Sequence, residues 1–423
     1  MSVMYRFALF ALALFLSPLQ AAELSVHPGE SIQAAIDRAA PGDTVRVLGG
    51  RYVENLRIAK PLTLTGDDHP TISGGLSGDT LRITAPHVTV DGFIIADSGD
   101  DLGAQNAGVY IQPGADFATV RNCTFSYTLF GLWIESVTGV VVENNIITGK
   151  RDHPSAQRGN GIELYNSQHA RIIGNNISFV RDGIYVDVSH HAVFSGNKIH
   201  DVRYGTHYMN SYYNTWENNE SYHNRDGLAL MMTRNQIVRN NRAWGNSDVG
   251  IMVRTIQDSV IENNVVAGNH RGFFVYDAEY NTIRGNLIQD NDVGVHLWAG
   301  SYHNEVDGND FIGNHDQVKY VNTRDELWGV KEGNYWSNYL GWDRNGDARG
   351  DVPYEANDMV DRLTWRYPMM RLLMASPAVQ SLRLIAQQFP LLRAPSVVDR
   401  SPRMTPAHAD WRDWFGKRFE TTP

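Results

Sequence analysis

Four side chains in the middle of the chain, His207, Met209, Met231 and Met252, make a set suited to a soft metal ion. An imidazole with thioethers and no thiolate selects monovalent copper, Cu(I), over harder cations. The set belongs to a repeated phrase. A glycine followed by four residues of alternating type occurs as GIYVD at Gly183, GTHYM at Gly205, GLALM at Gly227 and GIMVR at Gly250, and nine times in all between Gly108 and Gly294. Alternation puts the second and fourth residues of each phrase on the side opposite the apolar first and third. Stacked phrase on phrase, His207, Met209, Met231 and Met252 fall into one patch spanning three coils. The competing reading is a metal-free interface, since methionines fill irregular gaps and an aromatic-rich face can bind protein.

Whatever positions this patch must be built from strands. The steps between the phrase glycines are 23, 30, 22, 22, 22, 23, 22 and 22 residues. A second series keeps the same phase: Asn122, Asn145, Asn176, Asn197, Asn219, Asn241, Asn264, Asn286 and Asn309. A fixed period near 22 leaves room for short strands and turns, with no helical run between them. The expected fold is all-β, a right-handed parallel β-helix with one coil per period. The asparagines are expected to stack as a ladder inside one turn, each amide bonding the next.

The chain divides around these coils. Residues 1–21 read as a signal peptide, with Arg6 before an apolar core and Leu19-Gln20-Ala21 at the cleavage site. Residues 22–107 form an entry cap and first coils, with a short helix after Ser31 that buries Ile32, Ala35 and Ile36. Regular coils fill 108–320, and 321–362 hold the last coils. Residues 363–423 read as a helical tail broken by Pro368, Pro377 and Pro390, either packed on the last coil or docked on another protein or a membrane surface. The 30-residue step holds an insertion over 150–159, beginning Lys150-Arg151-Asp152-His153, that is a contact loop or a tolerated surface loop. Asp343 to Asp351 resembles half a calcium loop without the distal glutamate; structural calcium competes there with a self-bonded Asx turn.

Composition narrows the partners. The net charge of −10 becomes about −11 without the leader, and no basic stripe marks a nucleic-acid surface. Cys123 is the only cysteine, which excludes an intrachain disulfide and a thiolate cluster. Tyr110, Trp133, Glu163, Tyr165, Tyr185 and Asp187 could line a polysaccharide groove with Glu163 and Asp187 as acid and base. The Asp-Pro-His-Asp motif of exported alginate epimerases is missing, however, since Asp152-His153-Pro154 has another order. A non-enzyme is expected. His296, four coils from His207, is expected on an exposed aromatic face, Met232 off the patch, and His223 in a turn.

Taken together, the SIQAAIDRAAPGDTV entry, the coil RYGTHYMNSYYNTWENN and the run GNYWSNYLGWDRNGDARGDVPY before a Leu/Met/Pro tail are similar to the NosD family over essentially the whole chain. That resemblance implies a periplasmic maturation factor, held at the inner membrane through an ABC transporter (a membrane subunit and an ATPase). It implies work with a copper chaperone lipoprotein in assembling the copper–sulfur centres of nitrous-oxide reductase, with the tail docking on the transporter. It carries over no metal ligand; the His/Met patch rests on side-chain direction alone. The alternative within the family is a metal-free assembly scaffold.

Overall fold

A computed structural model describes residues 21–298, 300–320, 326–356, 367–373, 376–379, 381, 385 and 397–413 of the 423-residue chain. The signal peptide therefore lies outside the described residues apart from its last position. Three parallel sheets of 14, 12 and 13 strands run the length of a right-handed parallel β-helix, each coil giving one strand to each sheet. The expected repeat is the coil.

The 12-stranded sheet carries the glycine phrases. Its inward positions stack in register as Ile162, Ile184, Thr206, Leu228, Ile251, Phe273 and Val295, all fully or almost fully buried. The phrase glycine has a steric cause. A Cβ on Gly227 would lie 2.4 Å from the Gly250 carbonyl oxygen, and the same conflict recurs at Gly183 with Gly205. Any side chain there would force neighbouring coils apart.

The asparagine ladder exists with two corrections. Its members are Asn145, Asn175, Asn197, Asn219, Asn241, Asn264, Asn286, Asn309 and Asn334, each side-chain oxygen accepting both the backbone and side-chain N–H of the preceding member. Asn122 instead adopts φ +53° in the turn and bonds Asp91, leaving the ladder position to Cys123. Asn176 sits one residue past the ladder, on an exposed strand position. The cause is local: each ladder residue follows a left-handed turn residue, often Asn or Gly, so adjacent asparagines have different jobs. A second ladder, Asn224, Asn246, Asn269, Asn291 and Asn314, lines another corner and was not expected.

The entry cap matches its expectation. The helix Ile32–Arg38 is capped by the Ser31 hydroxyl and buries Ile32, Ala35 and Ile36. At the far end the tail reading needs correction. Val397–Asp399 is a strand antiparallel to Tyr354–Ala356, not helix. Asp399 accepts from Asn334 and from the Trp336 indole, so it terminates the ladder. Arg403 and His408 then close on the fully buried Asp310 carboxylate. A chain returning to seal an open core end serves the capping need of a solenoid. Helical turns occur earlier in the tail, over Pro368–Leu373 and residues 377–379.

Candidate functional site

The outer face of the 12-stranded sheet is one continuous column of second-place residues. It runs Arg82, Tyr110, Trp133, Glu163, Tyr185, His207, Ala229, Met252, Phe274, His296 and Lys319, each in register with the next. Beside it runs the fourth-place column, in which Asp187 pairs with Met209 and Met231 with Arg254. The N-terminal part of this face is closed. Tyr110, Leu129, Phe130 and Trp133 form a small hydrophobic cluster of their own outside the coil. The insertion is anchored at its first residue, Lys150, which is fully buried and donates to the Ser98 carbonyl at 2.8 Å and to the Asp100 carboxylate, while Arg151, Asp152 and residues 154–157 stay exposed.

Beyond this lid stand the four candidate residues. His207, Met209, Met231 and Met252 are all half-buried and lie on three successive coils. Register between their strands runs as far as Tyr208 with Leu230, one residue short of Met209 and Met231, which stand about 7 Å along their strands from His207 and Ala229. Between His207 and Met252 stands Ala229, outward-facing yet with no exposed surface. A methyl group on an outer face is hidden only if longer neighbours lean over it, so side chains close over Ala229; the place between His207 and Met252 is the Ala229 notch. The strands here, Asp226–Arg234 and Val249–Gln257, have nine residues each, against six or fewer elsewhere. Met232 takes φ +48°, drops out of register and is exposed, as expected for a residue outside the set.

His207 is held by partners that sequence reading missed. Its Nδ1 is 3.0 Å from Asp182, and Arg203 donates to the same carboxylate at 2.8 and 2.5 Å. Burial alone would raise the Asp182 pKa, but hydrogen bonds from His207 and Arg203 outweigh it and hold the carboxyl below its ordinary value. An ionised carboxylate only accepts, so Nδ1 donates to Asp182 and Nε2 is the ring nitrogen left for another partner. No hydrogen bond reaches Nε2 among the described residues. Tyr185 packs edge-on against the ring at 4.6 Å, and its hydroxyl lies 4.0 Å from the Met209 sulfur. A carboxylate fixing the tautomer of a ligating histidine is the usual outer support of a metal site. No local motif marks this clamp, since Arg203 and His207 reach Asp182 from the next coil.

Other expected groups stand differently. Glu163 is buried against Asn160, and burial, with Asp182 and Asp187 adding to it, pushes its pKa to about 8. His296 is almost fully buried, not exposed; the Phe274 and Trp298 rings stand 5.4 and 5.3 Å from it. Burial, followed by Lys319 and Arg271, lowers its pKa to about 4. His223 occupies a left-handed turn, as expected, edge-on to Tyr222 and Trp244. In the Asp343–Asp351 loop, Asp343 accepts from the backbone of Gly346 and Ala348, and Asp351 from Arg344. Those carboxylates face their own loop, in the manner of Asx turns. Among the described residues no three His, Cys, Asp or Glu side chains stand together as a metal site.

Fold and face define a parallel β-helix whose 12-stranded sheet carries an outer column of aromatic, His and Met side chains. The AlgE6 A-module of an Azotobacter vinelandii mannuronan C-5 epimerase has this fold, at a TM-score of 0.57 and 17% identity over 72% of this chain and 92% of that one. A Yersinia enterocolitica family 28 exopolygalacturonase shares it at 0.53 and 12% over 74% and 79%. The sequence is more specific. Residues 143–341 match the family described as periplasmic copper-binding protein (NosD), and 22–234 one described as a protein of unknown function (DUF1565). Two proteins named probable ABC transporter binding protein NosD are similar over most of their length. That of Pseudomonas aeruginosa is 40% identical over 84% of this chain and 86% of its own. That of Stutzerimonas stutzeri is 38% identical over 85% and 86%. The chain belongs to the NosD family.

Proposed function

We propose that this protein is a periplasmic maturation factor that receives Cu(I) on the Ala229 notch and passes it toward the copper centres of nitrous-oxide reductase. The observation that carries the reading is His207, whose Nδ1 is committed to Asp182 while Nε2 has no hydrogen-bond partner among the described residues, on the same sheet face as three half-buried methionines. Soft donors in that arrangement favour Cu(I) over Zn(II), Mg(II) or Ca(II). The family description, copper-binding and periplasmic, points the same way. The relatives' name supports an ABC transporter as partner, and the proposal takes its membrane subunit and ATPase together. A copper chaperone lipoprotein as donor and the apo-reductase as acceptor complete the proposed route. Attachment to the inner membrane would come through the transporter, since no helix among the described residues is long and apolar enough to cross a bilayer.

A metal-free scaffold is the second reading, favoured by the tail. Met369, Leu372 and Leu373 are largely exposed there, an apolar stretch suited to docking on the transporter. An anaerobic Cu(I) titration against a competing chelator separates the two. The copper reading expects one ion bound by the mature protein, and loss of binding when His207 and the three methionines are replaced by alanine. Absence of binding to the unaltered protein, repeated with the chaperone present, would leave the scaffold.

A further inference from the structure

The three thioethers and the imidazole are all neutral, so a Cu(I) ion in the notch would bring an uncompensated positive charge into a half-buried place. Asp182 does not supply the counter-charge, because Arg203 already balances it. One other carboxylate is placed to do so.

The coil repeat locates it. Asp182 pairs in register with Tyr204, and its carboxylate reaches the residue three positions further along that strand, His207. Asp226 stands at the equivalent position two coils later. It receives the Val249 amide on Oδ1 at 3.1 Å, and three positions beyond Val249 is Met252. By position in the coil, Asp226 thus stands to Met252 as Asp182 stands to His207. The same relation holds one step on, where Arg271 lies close enough to His296 to lower its basicity. Asp226 is only 1% exposed, and its Oδ2 is buried with no hydrogen-bond partner among the described residues. A buried, unpartnered carboxyl oxygen costs stability and calls for an explanation. Tyr204 is in register with it, Arg203 and Asp248 stand nearby, and Arg225 and Arg271 face it without taking Oδ2.

We propose that Asp226 is a fifth member of the copper site, its unpartnered oxygen turned to the Met252 side of the notch to neutralise the bound Cu(I). This rests on the copper reading above. It deepens that reading by making the site an anionic one, with charge at one end and soft donors at the other. A carboxylate there also explains why an acid is kept buried where an apolar residue would stabilise the apo protein.

The test is an anaerobic titration of the mature protein with Cu(I) against a competing chelator, with Ag(I) as a redox-inert second probe. Asp226→Asn keeps the shape and the acceptor for Val249 while removing the charge. The expected result is at least tenfold weaker binding of both ions at unchanged stoichiometry, while the melting temperature of the apo variant stays equal or rises. Asp226→Ser carries the same comparison if the asparagine variant misfolds. Equal affinity in the unaltered and Asp226→Asn proteins would overturn the assignment and leave the four-residue site standing. No binding by the unaltered protein would overturn the site itself. A purely structural role would move the melting temperature and leave the affinity ratio at one.

Discussion

Asp182 decides what His207 can do. With Arg203 holding it ionised, the carboxylate fixes the imidazole proton on Nδ1 and presents Nε2 as the donor. Replacing it by asparagine removes that certainty, because an amide can accept or donate and the ring is free to flip its tautomer. Asp182→Asn is expected to weaken Cu(I) binding roughly 10- to 100-fold, the usual effect of losing such a support. A chelator-competition titration measures it, and affinity within twofold of the unaltered protein would show that His207 needs no orienting partner. Arg203 is part of the same device. Arg203→Met removes two of the hydrogen bonds that hold the Asp182 carboxylate in place, so the variant is expected to weaken Cu(I) binding in the same titration.

At the scale of the element, the ladders carry the fold. Asn241 accepts from both N–H groups of Asn219 and donates to Asn264 and to the Trp216 carbonyl. Asn241→Ala therefore strands several buried groups at once, at about 1–3 kcal/mol each. A drop in the urea midpoint equivalent to roughly 3 kcal/mol or more is expected, against little change for Asn240→Gly in the exposed left-handed turn. The contrast between these neighbours shows what could be read from the chain. Glycine phrases were legible because one steric conflict, Cβ against the next coil's carbonyl, recurs at every coil and leaves a period. The ladder's existence was legible for the same reason, but not its membership at Asn122 and Asn176, where adjacent asparagines differ only in backbone φ. The Asp182–Arg203–His207 clamp was not foreseen, since it joins residues on two coils and needs the register to be known. The burial of His296 was hidden because it depends on how Phe274 and Trp298 lean. The tail's return was hidden too: Asp399 and Arg403 act on Asn334 and Asp310, far away in sequence. Asp399→Ala should open that end, unpairing Asn334 and Trp336, and limited proteolysis should then trim the tail before the coils unfold.

For the whole molecule, the site side of the β-helix is maintained against stability, and pH exposes this. Glu163 has its pKa raised to about 8 by burial, well above an ordinary glutamic acid. Its neutral form favours the folded state, so that contribution is complete at acid pH and is lost as pH rises through about 8. Asp226, raised to about 6 by burial, acts in the same direction but finishes earlier. His296, lowered to about 4, has the opposite sign: it favours folding when neutral, and its contribution falls away as pH drops below the ordinary histidine range. Asp310 and Asp182 are held low and matter only in acid. Between pH 6.5 and 8, therefore, Glu163 is the group still releasing its proton in the folded state, and the apo protein should lose stability across that window. Glu163→Gln is expected to flatten the dependence, with the urea midpoint unchanged from pH 6.5 to 8, while the unaltered protein declines. A midpoint that rises over this range, or a decline that survives in Glu163→Gln, would place the titrating group elsewhere. Because Glu163, Tyr185 and His207 are successive members of one column, copper in the notch adds positive charge two strands from this carboxyl. Loading with Cu(I) should then favour ionised Glu163 and draw the decline to lower pH, a displacement that the His207→Ala variant would not show.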